Sequence, residues 1–207
     1  MVIKTLTWYY TCVGGKSMKR NFIKILCSAF CLTSAIAITA HAMSTDTDAQ
    51  QQILVVYYSL TGNTAEVADA IVSYTGADVF EIKTVAEYPT DSGERKKLIQ
   101  SDIDAGRLPK IYAGPNNLQK YDVIFVGSPV WANGLSLPVQ AFLQNNNLSG
   151  KHVYPFVSHA GGGSGNSFND VAKYCAGCIV DTDGWSSWGG GRQRGINRWI
   201  DEILDKE

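Results

Sequence analysis

Histidine and cysteine are scarce in this chain. Three histidines and five cysteines occur in 207 residues, and Cys12, Cys27 and Cys31 fall within the first 42, leaving Cys175 and Cys178 for the remainder. Two thiols cannot complete a four-cysteine zinc site, and no histidine lies at ligand spacing from them. Basic charge is also short after residue 42: positions 43–207 hold 13 of the 18 Lys and Arg and all 19 Asp and Glu, a net charge of −6. That balance argues against a nucleic-acid partner, which calls for a basic face. Long apolar runs are missing too. The longest, Ile25 to Thr39, is short for crossing about 30 Å of hydrocarbon. No internal repeat is visible, and no dinucleotide fingerprint: neither Gly161-Gly-Gly-Ser-Gly165 nor Gly189-Gly-Gly191 completes G-x-G-x-x-G or opens a first βαβ unit. Gly14-Gly-Lys-Ser17 lacks the earlier glycine of a P-loop.

Acidic residues are absent from positions 1–42, which carry Lys4, Lys16, Lys19, Arg20 and Lys24. The segment reads as a signal peptide, with a basic stretch from Met18, an apolar stretch over Ile25 to Thr39 and an A-x-A cleavage site at Ala40-His41-Ala42. Met18 is an alternative start. Cys27 follows Leu26 and Cys31 follows Phe30, so no lipobox is present. The expectation is a periplasmic or secreted protein with no stable membrane anchor after cleavage, a polar lead-in over residues 43–52 and one domain over residues 53–207.

The domain opens on Ile53-Leu-Val-Val-Tyr-Tyr58, an apolar and β-branched run of strand length. From Thr64 to Tyr74 the period changes: Val67, Ala68, Ile71 and Val72 fall at helical spacing, and Gly76 stops the helix. Between strand and helix lie Ser59, Leu60, Thr61, Gly62, Asn63 and Thr64, a tight polar loop whose hydroxyls and amide face a helix N-terminus. Such a loop cradles an anion. Further along, Asp78–Thr84 alternates as a near-edge strand, and a charged helix around Leu98, Ile99 and Ile103 reads as a surface element. The stretch containing Gly106, Pro109, Gly114 and Pro115 reads as irregular connection. Tyr121–Gly127 is apolar throughout and reads as a central strand, and a helix over Val139–Leu143 follows it. His152–Ser158 is a fourth strand, a helix spans Ser167–Tyr174, and a fifth strand begins at Ile179. Trp185–Gly191 reads as a glycine-rich loop before a C-terminal helix striped by Ile196, Trp199, Ile200, Ile203 and Leu204. Alternating strands and helices call for an α/β doubly wound fold with a five-stranded parallel sheet in three layers.

Ser59-Leu-Thr-Gly-Asn-Thr64 after a first strand resembles the phosphate loop of flavodoxins, T/S-x-T-G-N-T, and the chain from Ile53 onward resembles a short-chain member of that family. The resemblance implies sheet order 2-1-3-4-5 and an FMN cofactor. It places the phosphate at Ser59, Leu60, Thr61, Gly62, Asn63 and Thr64. The loop Ser128, Pro129, Val130 and Trp131 would set the indole against the isoalloxazine, and Asn133 with Gly134 would be the positions able to change backbone conformation with redox state. In the third loop Ser158, His159, Ala160, Gly161, Gly162 and Gly163 would let backbone N–H groups meet the pyrimidine edge. His159 is either a proton donor there or a solvent-facing side chain beside a glycine turn.

Cys175-Ala-Gly-Cys178 follows a helix, where the dipole does not lower a thiol pKa as it does at a helix start. The reading is a structural disulfide in an oxidising compartment, ahead of a redox dithiol or a free pair. No side chain stands out as a nucleophile or metal ligand. The expected function is FMN-based electron transfer outside the cytoplasm, to redox partner proteins or to a small acceptor such as a quinone. The alternative is a ligand-binding module on the same fold without redox turnover.

Overall fold

The computed structural model describes residues 51–190 and 193–205. The leader expected over residues 1–42 lies outside these, as does most of the lead-in. Strand β1 (Ile53–Tyr57) leads into helix α1 (Asn63–Thr75), and β2 (Asp78–Glu81) into α2 (Ser92–Asp104). After a 3₁₀ turn at Leu118–Lys120 come β3 (Val123–Trp131), β4 (Gly134–Leu135), α3 (Leu137–Asn145) and β5 (His152–His159). Helix α4 (Ser167–Tyr174), β6 (Ile179–Val180), β7 (Trp185–Trp188) and α5 (Ile196–Leu204) complete the chain.

The sheet order is β2-β1-β3-β5-β6, with β7 also paired to β5 and every pair parallel except the β3–β4 hairpin. This is the doubly wound order expected, with its last strand in two pieces. Pro155 accounts for the break. Asp181 N–H donates to the Val153 carbonyl, so Val153 faces the outer edge, and Pro155, two residues on, faces the same edge without an N–H to offer. The ladder resumes at Phe156↔Trp185. Trp185–Trp188 is therefore strand, where the glycines that follow it had suggested a loop.

Past Gly127 the chain also stays in β3 through Ser128-Pro-Val-Trp131, which the sequence places in an exit loop. The proline is tolerated because β1 has already ended. Tyr58 N–H donates to the Gly127 carbonyl, so the missing N–H of Pro129 points to the side that β1 has left. Ala132 and Asn133 then close a two-residue hairpin at φ 46° and 64°, the left-handed pair that a type I′ turn needs.

The long excursion between β2 and β3 is pinned on itself. Val85 N–H donates to the Lys110 carbonyl and Tyr112 N–H to the Lys83 carbonyl, around a bridge between Thr84 and Ile111. Asp91 caps α2, its carboxylate accepting from the N–H groups of Gly93 and Glu94. Of α2, only Ile99 is buried.

Two apolar cores lie on opposite faces of the sheet. One gathers Val55, Tyr57, Phe125 and Phe156 with Val67 and Ile71 of α1 and Ile196 and Ile200 of α5. The other gathers Tyr58, Ile124 and Val126 with Ile99 of α2, Val139 and Phe142 of α3 and Val171 of α4. Cys175 and Cys178 form a disulfide just after α4, and the Cys178 Sγ lies 3.4 Å from the Leu148 carbonyl. Among the described residues no helix is long and apolar enough to cross a membrane, and no group of three or more His, Cys, Asp or Glu could hold a metal.

Candidate functional site

The carboxyl ends of β1, β3 and β5 open on one cavity of about 500 Å³, within the range of small-molecule sites. Leu60, Thr61 and Asn63 come from the first loop, Pro129, Val130, Trp131 and Ala132 from β3 and its hairpin, and Ser158, His159 and Ala160 from the end of β5. Helix α2 adds Arg95, Lys96, Ile99 and Gln100.

The first loop is shaped by Gly62, at φ 91° with open space where a Cβ would stand, a conformation that costs other residues dearly. From there α1 begins. Ser59 Oγ accepts from Ala65 N–H at 3.2 Å, and Glu66 N–H returns to the Gly62 carbonyl. Among the described residues nothing accepts from the N–H groups of Thr61, Gly62, Asn63 and Thr64. Four consecutive unpaired donors at a helix start form an anion cradle. Thr64 itself faces inward, its hydroxyl 2.8 Å from that of Ser158; both are buried, and the bond ties the first loop to the third.

Ser128 is also buried and stands away from the cavity. Its Oγ donates within hydrogen-bond reach of Ser136 Oγ, 2.8 Å away, and accepts from Ser136 N–H at 3.0 Å. Asn133 and Gly134 line a separate cavity of about 370 Å³ on the far side of the hairpin, which shares Trp131 and Ala132 with the first. The Asn133 carbonyl accepts from Asn166 N–H, and Asp170 Oδ2 accepts from Leu135 N–H at 2.9 Å. The left-handed residues are Ala132 and Asn133, one position earlier than the pair singled out in the sequence.

In the third loop His159 Nδ1 accepts from Gly161 N–H at 3.0 Å and Gly163 N–H at 3.2 Å. Two of the N–H groups expected to meet a ligand are thus turned to the imidazole, which places its proton on Nε2. Gly161, Gly162 and Gly163 do not line the cavity, and the N–H groups of Ala160 and Gly162 have no partner among the described residues.

Trp131 is held edge-on by two tyrosines. Its ring centroid lies 4.9 Å from that of Tyr88 and 5.6 Å from that of Tyr58, with interplanar angles of 71° and 84°. Such edge contacts fix an indole while leaving ring surface toward the cavity. Tyr58 and Tyr88 are buried, and the Tyr88 hydroxyl has no partner among the described residues.

The sequence matches the family model described as Flavodoxin over residues 52–203. The chain belongs to the flavodoxin family. A candidate flavoprotein from Bacteroides eggerthii, solved as a crystal structure, is 25% identical, with 74% of this chain and 98% of that one covered at a TM-score of 0.61. A flavoprotein from Lactobacillus acidophilus, crystallised in complex with FMN, is 23% identical, with 75% and 97% covered at a TM-score of 0.60. No curated protein matches.

This flavodoxin carries its aromatic cluster at a cost that alkaline pH exposes. Burial raises the Tyr58 phenol to about 12, against a smaller lowering by the Arg95 charge. Burial, then the nearby Tyr58 and Asp102, push Tyr88 up as well. An unfolded tyrosine ionises at about 10, so above that pH the unfolded chain releases protons that the folded one retains. The stability that depends on these neutral phenols is complete below pH 10 and falls as pH rises toward 12. Alkaline unfolding followed by circular dichroism should shift to higher pH in Tyr58→Phe and Tyr88→Phe. An unchanged alkaline midpoint in the double variant refutes this account.

Proposed function

We propose that this chain binds FMN in the cavity at the carboxyl ends of β1, β3 and β5 and uses it for electron transfer outside the cytoplasm, reducing a small acceptor such as a quinone or passing electrons to a partner protein. The observation that carries the reading is that Thr61 and Asn63, two of the four residues with unpaired N–H groups at the start of α1, line the same cavity as the Trp131 indole. The cradle suits a phosphate and the indole a flat ring, and one ligand satisfies both. Bound flavin supplies the redox chemistry; the chain seats it, stacks it and excludes water. Trp131, Pro129 and Val130 form the apolar wall, Thr61 and Asn63 flank the phosphate seat, and Ala160 offers a backbone donor.

Action outside the cytoplasm rests on the sequence of residues 18–42, and the Cys175–Cys178 disulfide is in keeping with an oxidising compartment. The test is an absorption spectrum of the purified protein before and after FMN is added, followed by stepwise dithionite reduction. Bound flavin that is reduced in two resolved one-electron steps supports a carrier, and a single two-electron step a reductase. A folded protein that takes up no FMN refutes the reading and leaves a ligand-binding module without redox turnover.

A further inference from the structure

Residues 43–207 are acidic overall, yet the lining of the FMN cavity contains no Asp or Glu and two cations. Both cations come from α2, a helix that none of the three cofactor loops includes. Arg95 and Lys96 share that wall with Ile99 and Gln100, one turn further along. Neither Arg95 nor Lys96 has a carboxylate at ion-pair distance among the described residues.

Arg95 is held in place without being neutralised. Its Nη1 donates to the carbonyls of Pro89 and Thr90, both at 3.0 Å, and its other donors have no partner among the described residues. Arg95 lines the same cavity as Trp131, and its charge lowers the Tyr58 phenol against the larger effect of burial. The pinned excursion from Lys83 to Tyr112 fixes the base of the segment that carries α2. The result is a positively charged wall set against an aromatic one, in a partly enclosed space where charge is screened less than in bulk water.

We propose that the acceptor taken by this cavity, beside the flavin that Trp131 stacks, is a flat aromatic anion, such as an aromatic carboxylate or sulfonate, with Ile99 against its ring system and Arg95 and Lys96 on its negative group. That the ligand is an electron acceptor rests on the FMN reading; that it is an anion rests on the α2 wall alone. The phosphate of FMN draws on the N–H groups at the start of α1, a different part of the chain.

Binding of anthraquinone sulfonate and of the neutral hydroxymethyl anthraquinone is measured by quenching of tryptophan fluorescence, on the protein with and without FMN. The sulfonate should bind about tenfold more tightly, and added salt should erode the preference. Lys96→Gln, an exposed change, and Arg95→Gln should each remove part of the preference, Arg95→Lys should retain it, and Lys97→Gln, outside the cavity lining, should leave it intact. FMN affinity should stay within about threefold in all four, since the cofactor phosphate is met by uncharged donors. Equal affinity for the two probes overturns the proposal, as does a preference that survives in the Arg95→Gln, Lys96→Gln double variant. A tenfold loss of FMN affinity in those variants also overturns it, by assigning the cations to the cofactor. If no FMN binds, the flavin reading falls by itself, and the preference measured without FMN still decides the anion claim.

Discussion

Gly127→Ala should cost about 3 kcal/mol of folding stability, at the upper end of what overpacking a core causes. Gly127 sits in the centre of β3, between Tyr57 of β1 and Phe156 of β5. A Cβ there would run into the Phe156 ring, at Cζ and Cε2, and would stand 2.8 Å from the Tyr57 Cβ. Neither neighbour has room to give. Phe156 is fully buried among Phe125, Tyr154 and the helices α1 and α5, and the Tyr57 Cβ is fixed by its strand. With a urea slope of about 2 kcal/mol/M the unfolding midpoint should fall by about 1.5 M. Phe156→Leu offers the control: it costs stability alone, but in the Gly127→Ala background it relieves the overlap, so the double variant should be more stable than Gly127→Ala. A midpoint for Gly127→Ala within about 0.5 M of the parent would mean that the sheet adjusts, and the close-packing argument would fail.

Gly127 also shows how local signals mislead at the centre of a sheet. Gly-Ser-Pro reads as a strand end because glycine and proline weaken ladders. Here the glycine makes room for a phenylalanine from the next strand, and the proline faces an edge that its neighbour has vacated. Both facts depend on where β1 ends relative to β3, a register that no local window holds. Pro155 works the same way at the outer edge, splitting the last strand into β6 and β7. The strand and helix order itself was legible because apolar runs of strand length alternate with helical spacing, and parallel crossovers permit few arrangements.

In the site, the first loop was the most readable part, since Ser59 to Thr64 lies in one contiguous turn whose chemistry is local. Glycine at position 62 and the four unpaired N–H groups follow from a strand that runs directly into a helix. The α2 wall was hidden for the opposite reason. A charged helix with one buried residue looks alike whether its other face meets water or a cavity, so Arg95 and Lys96 carried no signal. The third loop was read in part. Small residues were needed there, but the use of Gly161 and Gly163 N–H groups by His159 Nδ1 depends on the path of the turn, which composition does not specify.

Trp131→Ala should weaken FMN binding by about tenfold to a hundredfold, and weaken riboflavin binding by the same factor. Trp131 lines both the cavity of about 500 Å³ and the neighbouring one of about 370 Å³, so its removal enlarges both and strips the ring of its apolar wall. Edge contacts with Tyr58 and Tyr88 are worth about 0.5–1.5 kcal/mol each beyond burial, so stability should fall as well, by about 2 kcal/mol. A stability loss alone does not show stacking, which is why the two flavins are compared. The ring is common to FMN and riboflavin, and the phosphate belongs to FMN only. A ring contact therefore lowers both affinities and leaves their ratio unchanged, whereas Gly62→Ala, which forces a side chain into a backbone conformation at φ 91°, should lower the ratio by disturbing the phosphate seat. Trp131→Phe keeps an aromatic face and should recover most of the affinity. If Trp131→Ala lowers stability while both flavins bind as before, the indole is packing only, and the flat ring of the cofactor must lie elsewhere in the cavity.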